Sequence, residues 1–174
     1  RPPLSFKGKL SYSPCPKMTP SIDGNLKEWK GLPAIDLSKA TVKIKDHKGA
    51  KDLSGLIWLG WDERSLYVAA EIEDDKHSQA TGGEKGWQGD GIQMSVAELP
   101  DGKGIPEWNE FGICLAPSGP EVYRSVGPDG LKEGLVKDAK AQVRREGTST
   151  IYEFAIPWTE LAPASPSAGA ILFW

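Results

Sequence analysis

Gly55-Leu56-Ile57-Trp58-Leu59-Gly60-Trp61, Asp62-Glu63-Arg64-Ser65 and Leu66-Tyr67-Val68-Ala69-Ala70-Glu71-Ile72 follow one another without a break. Two runs rich in apolar, aromatic and β-branched residues flank a short polar link, which is the signature of a β-hairpin. A strand turns successive side chains to opposite faces. Leu66, Val68 and Ala70 therefore share one face, and Tyr67, Ala69 and Glu71 share the other.

The same period of two recurs outward from this hairpin. Thr41-Val42-Lys43-Ile44-Lys45 alternates apolar and polar on its N-terminal side. On the C-terminal side Gly91 to Val96 is expected to be a strand with Ile92, Met94 and Val96 inward. Further strands are expected over Glu110–Ala116, Gly119–Val126, Ala139–Arg145, Thr150–Pro157 and Ala170–Trp174, with a turn at Pro128-Asp129-Gly130. Asn25–Trp29 and Trp158–Leu161 read as single helical turns, the first dropping Trp29 into the core and the second ended by Pro163. Pro2, Pro3, Pro14, Pro16 and Pro20 mark residues 1–20 as an extended arm, with an edge strand over Leu4–Tyr12. Many short strands with almost no helix make an all-β fold: an antiparallel β-sandwich of two sheets, eight to ten strands and one or two helical turns, over residues 21–174.

Composition narrows the function. The chain has 174 residues, enough for one sizeable core. Its 21 Lys and Arg against 24 Asp and Glu leave a net charge of −3. Without a basic surplus, nucleic acid and anionic lipid are not expected partners. No apolar run nears the roughly 20 residues that span a bilayer, so membrane insertion is not expected. Any signal peptide is expected to have been removed before Arg1. Cys15 and Cys114 form no C-x-x-C pair. They are either two thiols or one disulfide closing a loop of about 100 residues.

Catalytic signatures are missing from the sequence. His47 and His77 are its only histidines, and neither adjoins a recognisable nucleophile. Among 24 acids nothing singles out the facing pair of a glycosidase. The glycines from Gly82 to Gly91 match neither a dinucleotide nor a phosphate loop, and no EF-hand pattern occurs.

One segment points to ligand binding. Gly86-Trp87-Gln88-Gly89-Asp90-Gly91-Ile92-Gln93 ends a long, polar, aperiodic stretch from His77. Trp87, flanked by small neighbours, either folds over the end of the sandwich or offers an indole face to a ligand. A pyranose ring matches such a face with its C–H groups, and Asp90 and Gln93 stand near in sequence to meet its hydroxyls. Glu71, Glu73, Asp74 and Asp75 form an acidic run at a strand end. It is either a solvated turn or, with Asp90 joining Asp74 and Asp75, a calcium site.

Ile22-Asp23-Gly24 with Trp29, Trp61-Asp62 with Leu66-Tyr67-Val68, Asp74, Trp87 with Asp90, and Tyr152-Glu153-Phe154-Ala155-Ile156-Pro157-Trp158 come in an order that resembles the family 9 carbohydrate-binding modules and their wider superfamily. The resemblance runs from about Ser21 to Trp174. It implies a β-sandwich, often with calcium, that serves as a non-catalytic module appended to secreted polysaccharide-degrading enzymes. A secreted, periplasmic or cell-surface location follows. It implies too that two tryptophans clamp the reducing end of a β-glucan or xylan chain.

On that resemblance Trp87 stands at the first clamp position, Gln93 where the family has a sugar-binding carboxylate, and Asp74 where a calcium ligand is plausible. Trp29, Trp61 and Trp158 fall on structural positions. A sugar-binding arginine of the family falls near Gly112, which cannot replace it. The family continues past the strand ending at Trp174, so the C-terminal strands and the second clamp tryptophan are expected to be missing. Trp108, in Pro106-Glu107-Trp108-Asn109, is the expected substitute wall.

Two other readings compete. One is a structural or protein-interaction sandwich with Trp87 packed or facing a partner. The other, from a related superfamily, is a b-type haem domain with axial ligands drawn from Met18, Met94, His47 and His77.

Overall fold

Alternating burial along the strands builds two antiparallel sheets face to face. The computed structural model describes residues 13–39, 47–98, 107–167 and 172–173. The strands expected over Leu4–Tyr12 and Thr41–Lys45 lie outside the described residues. Among the described residues the strands are β1 (Ile35–Asp36), β2 (Leu53–Trp61), β3 (Ser65–Asp74), β4 (Gly91–Glu98), β5 (Trp108–Ala116), β6 (Gly119–Val126), β7 (Gly134–Leu135), β8 (Lys140–Glu146), β9 (Ser149–Pro157) and β10 (Leu172–Phe173). The first sheet runs β1-β2-β3-β9-β8 and the second β10-β4-β5-β6-β7.

The opening hairpin holds its register from Trp61 opposite Leu66 to Leu53 opposite Asp74. Leu66, Val68 and Ala70 pack with Phe111, Ile113, Val122, Phe154 and Ile156 between the sheets, as the alternation requires. Met94 lies against this core too. At one end Arg124 is buried, its guanidinium 2.7 Å from the Glu160 carboxylate and 3.2 Å from Asn109 Oδ1.

The first sheet is covered on its other face as well. Leu26, Trp29, Trp58, Tyr67, Ala69, Ile151 and Ala155 form a second cluster there, with Met18, Ile22 and Leu32 against it. The cover is the N-terminal segment, and it reaches further back than Ser21. The Met18 N–H donates to Trp61 O at 2.8 Å and the Trp61 N–H to Pro16 O at 3.1 Å. Part of the segment read as an extended arm is thus bound to the sandwich. Gly60 makes the close approach possible, because a Cβ there would stand 2.6 Å from Met18 Cγ.

A buried carboxylate locks the cover down. Glu153 on β9 is fully buried. It accepts the indole N–H of Trp29 at 2.8 Å and the backbone N–H groups of Asp23 and Gly24 at 2.9 and 2.7 Å. Gly24 takes φ 79°, a left-handed conformation that favours glycine, and its carbonyl accepts from Arg144 Nε at 2.7 Å. The turn Leu26–Glu28 follows, capped by Asn25, and sets Trp29 at 0% exposure.

Asp62 plays the matching part at the hairpin tip. It accepts from the Thr19 hydroxyl, the Tyr67 hydroxyl and the Arg64 N–H, each at 2.8 Å, and from the Ser65 N–H at 3.0 Å. Burial alone raises this carboxyl, but the bonds from Arg64, Thr19, Tyr67 and Ser65 outweigh it and hold the pKa at about 2 against an ordinary 3.8. The Trp158 indole donates to the Asp62 carbonyl at 2.8 Å, which places it and Trp29 in structural roles.

Two predictions follow the two carboxylates. Glu153→Ala strands three donors, two of them in buried bonds, and is expected to cost about 3–5 kcal/mol in urea unfolding, whereas Glu153→Gln, which keeps one acceptor, costs less. An Ala variant within about 1 kcal/mol of the parent contradicts the assignment. A folded pKa below the unfolded one gives stability that is present above about pH 4 and is lost as the pH falls through about 2. Asp62→Asn is therefore expected to lack on the order of 2 kcal/mol at pH 5, with the gap closing by pH 2. A gap that stays constant over that range in urea melts rules this out.

Candidate functional site

Among the described residues, nothing covers the outer face of the second sheet as the N-terminal segment covers the first. Its outward residues are Gln93 on β4, Glu110, Gly112 and Cys114 on β5, and Tyr123 and Ser125 on β6, since their neighbours Ile92, Phe111, Ile113 and Val122 face the core. Register brings Gln93, Gly112 and Tyr123 side by side across three strands. A Cβ built on Gly112 would meet nothing within 4 Å, so the missing side chain leaves the backbone open as a floor.

A turn stands over one end of this floor. Residues Gly83–Gln88, in the stretch read as an irregular loop, form a 3-10 turn. Side chains bonded to backbone hold it where the sequence shows no periodicity. Gln79 Nε2 donates to Thr81 O at 2.6 Å and to Gly86 O at 3.0 Å, and the Thr81 hydroxyl donates to Lys85 O at 2.8 Å. The Gly83 N–H donates to Glu121 on β6 at 2.8 Å, and Gly86 sits over Cys114. The result fixes Trp87 with 64% of its surface exposed.

Turn and sheet enclose a groove of about 680 Å³. Trp87, Gln93, Gly112, Tyr123, Ser125 and three glutamates, Glu84, Glu110 and Glu133, line it. The Ser125 hydroxyl donates to the Glu110 carboxylate at 2.8 Å. The site thus pairs one fixed aromatic plate with amide, phenol, hydroxyl and carboxylate groups.

Of the expected sugar-binding residues, Trp87 and Gln93 line the groove, and Asp90 and Trp108 do not. The Asp90 carboxylate turns back to accept the Ser78 N–H and faces His77 Nδ1 at 3.3 Å. Trp108 is exposed and shares the outward side of β5 with Gly112. At a strand rise of about 3.4 Å per residue it stands roughly 7 Å past Glu110, the last residue of β5 that lines the groove. Gly112 and Tyr123, which sequence reading did not assign to a site, supply the floor. Only their shared register joins them to Gln93.

The acidic trio is not assembled either. Among the described residues no three Asp, Glu, His or Cys gather to hold a metal ion. Asp74 accepts the Lys76 N–H at 2.9 Å, and Asp75 is exposed. Two other oxygens lie at Gly89, beside Asp90 in the chain, one of them the Ser78 carbonyl that accepts the Asp90 N–H at 2.9 Å. Gln79 Oε1 is buried without a partner, and it and the Ser78 carbonyl both crowd Gly89. An amide oxygen, a carbonyl and a carboxylate are the hard donors that calcium takes.

Neither cysteine is activated as a nucleophile. Cys15 and Cys114 are both free, so of the two alternatives the two thiols hold. Burial pushes the Cys15 thiol up to about 11, and burial with the Glu121 charge also raises Cys114, which keeps both as thiols. The haem ligands are dispersed as well. Met94 packs between the sheets, Met18 lies under the N-terminal cover, His47 bonds Leu53 O at 2.9 Å, and His77 faces Asp90.

The molecule is thus a β-sandwich with one sheet face covered and the other bare, the bare face carrying a groove under a fixed indole. Residues 22–172 match the model of the family described as carbohydrate family 9 binding domain-like, and the chain belongs to that family. Two solved structures share its fold, both family 9 carbohydrate-binding modules from Caldicellulosiruptor kristjanssonii. The one in complex with glucose has a TM-score of 0.63 at 16% identity, covering 91% of this chain and 72% of its own. The one in complex with cellotriose has a TM-score of 0.58 at 14% identity, covering 91% and 71%. No curated protein sequence matches the chain.

Proposed function

We propose that the groove binds a plant-type polysaccharide or oligosaccharide, of the β-glucan or xylan class, by stacking a sugar ring on Trp87 without any covalent step. The observation that carries this reading is the 64% exposed indole fixed over an open floor. A wholly apolar ligand would leave the amide of Gln93 and the phenol of Tyr123 unmatched. A sugar supplies C–H groups to the indole and hydroxyls to the rest. Anchoring the turn beforehand lowers the ordering cost of binding. Membership of the family and the sugars held by the two similar structures support the same reading. In this reading the domain is a non-catalytic module appended to a catalytic domain of a longer chain, acting where polysaccharide is met: outside the cell, in the periplasm or at the cell surface.

The proposal extends to a calcium ion at the Asp90 corner, held by the Asp90 carboxylate, Gln79 Oε1 and the Ser78 carbonyl. Its contribution is structural, since these groups support the turn that carries Trp87.

Trp87→Ala is expected to weaken cello- or xylo-oligosaccharide binding at least ten-fold in calorimetry, consistent with loss of about 1.4 kcal/mol or more, with the unfolding midpoint unchanged. Gly112→Val fills the floor and is expected to abolish binding while the fold persists. Retained affinity in both variants removes the groove from the function, and release of reducing sugar from polysaccharide overturns the non-catalytic reading. For calcium, saturation at about 100 times its dissociation constant adds about 2.7 kcal/mol, which is expected to raise Tm by roughly 5–10 °C over chelator. Gln79→Ala is expected to lose that shift, and a Tm indifferent to calcium and chelator disproves the site.

A further inference from the structure

The groove's charge is one-sided. Glu84 comes from the turn beside Trp87, Glu110 from β5 and Glu133 from the approach to β7, so carboxylates reach it from three directions. Among the described residues no Lys, Arg or His lines it. None of the three glutamates joins an ion pair among the described residues. Glu110 is bonded to the Ser125 hydroxyl, which positions its charge without neutralising it. A concave surface lined by one sign of charge concentrates the opposite sign within it.

A neutral glycan gains nothing from three unpaired carboxylates beyond hydrogen bonds. A uronate-bearing glycan brings like charge against them. A glycan of 2-amino sugars carries ammonium groups that pair with them while its ring still stacks on Trp87, where a cation near the indole adds its own attraction.

We infer that the groove selects its sugar by charge: it prefers oligosaccharides with free amino groups, accepts neutral ones less tightly and rejects uronates. This deepens the sugar-binding reading and rests on it.

The test compares oligosaccharides of equal length in calorimetry at mildly acidic pH: fully deacetylated chito-oligosaccharide, cello-oligosaccharide and oligogalacturonide. At low salt the amino sugar is expected to bind about ten-fold tighter than the neutral one, consistent with two or three solvent-screened pairs, and the uronate not at all. In about 1 M salt, where the Debye length is ~3 Å, the preference is expected to shrink toward parity. Glu84→Gln with Glu133→Gln is expected to bring amino and neutral sugars to equal affinity on the same variant, and Trp87→Ala to weaken all binding.

Equal affinity for amino and neutral sugars at low salt, or uronate binding that matches the neutral sugar, overturns the inference and leaves the sugar reading standing. Amino-sugar binding that survives Trp87→Ala unchanged lies elsewhere on the acidic surface and overturns it too. Failure of all three sugars to bind brings down the sugar reading itself.

Discussion

A carboxylate sealed beneath its own polypeptide is the constraint on which this architecture depends. Glu153 sits on β9, an interior strand of the first sheet between β3 and β8, on the face away from the other sheet. An unpaired charge there would be prohibitive, so the N-terminal segment must deliver donors to it. The Trp29 indole and the N–H groups of Asp23 and Gly24 do so. The same bonds fix the Gly24 turn and seat Trp29, around which Trp58, Tyr67 and Ile151 pack. Charge, turn and aromatic cluster thus hold one another in place.

That arrangement divides the labour between the sheets. The first spends both faces on packing: six successive residues of β3, Ser65 to Ala70, are buried. The second buries only its inner side, and its outer side remains for a ligand. Binding chemistry sits where the fold has least need of side chains, so residues of the groove can vary without disturbing the core.

The sequence told these regions apart unevenly. The hairpin from Gly55 to Ile72 was legible because a period of two survives in the residues themselves, and the Ile92, Met94 and Val96 pattern likewise named an inward face. Trp87 was legible as an exposed ring because glycines give it no neighbours to hide behind. Glu153 was not legible as buried, since a polar residue in an alternating strand reads as outward, and here the outward face has a lid. Asp90 looked like a groove residue from its distance to Trp87 along the chain. Its partner, the Ser78 N–H, lies on an earlier stretch that only folding brings near. The floor of Gln93, Gly112 and Tyr123 exists through pairing across three strands, and no local pattern encodes that.

A bare, aromatic-bearing sheet is also a hazard, because an open strand margin invites another chain to add itself. The order of the strands answers this. Among the described residues β1, β7 and β10, which stand at three of the four margins, are two residues long, too short there to template an intruder. The fourth margin, β8, carries Lys140, Arg144 and Arg145, whose like charges repel a second copy. Crowded together on an insoluble surface, such molecules would stay separate particles, each with its exposed plate still free.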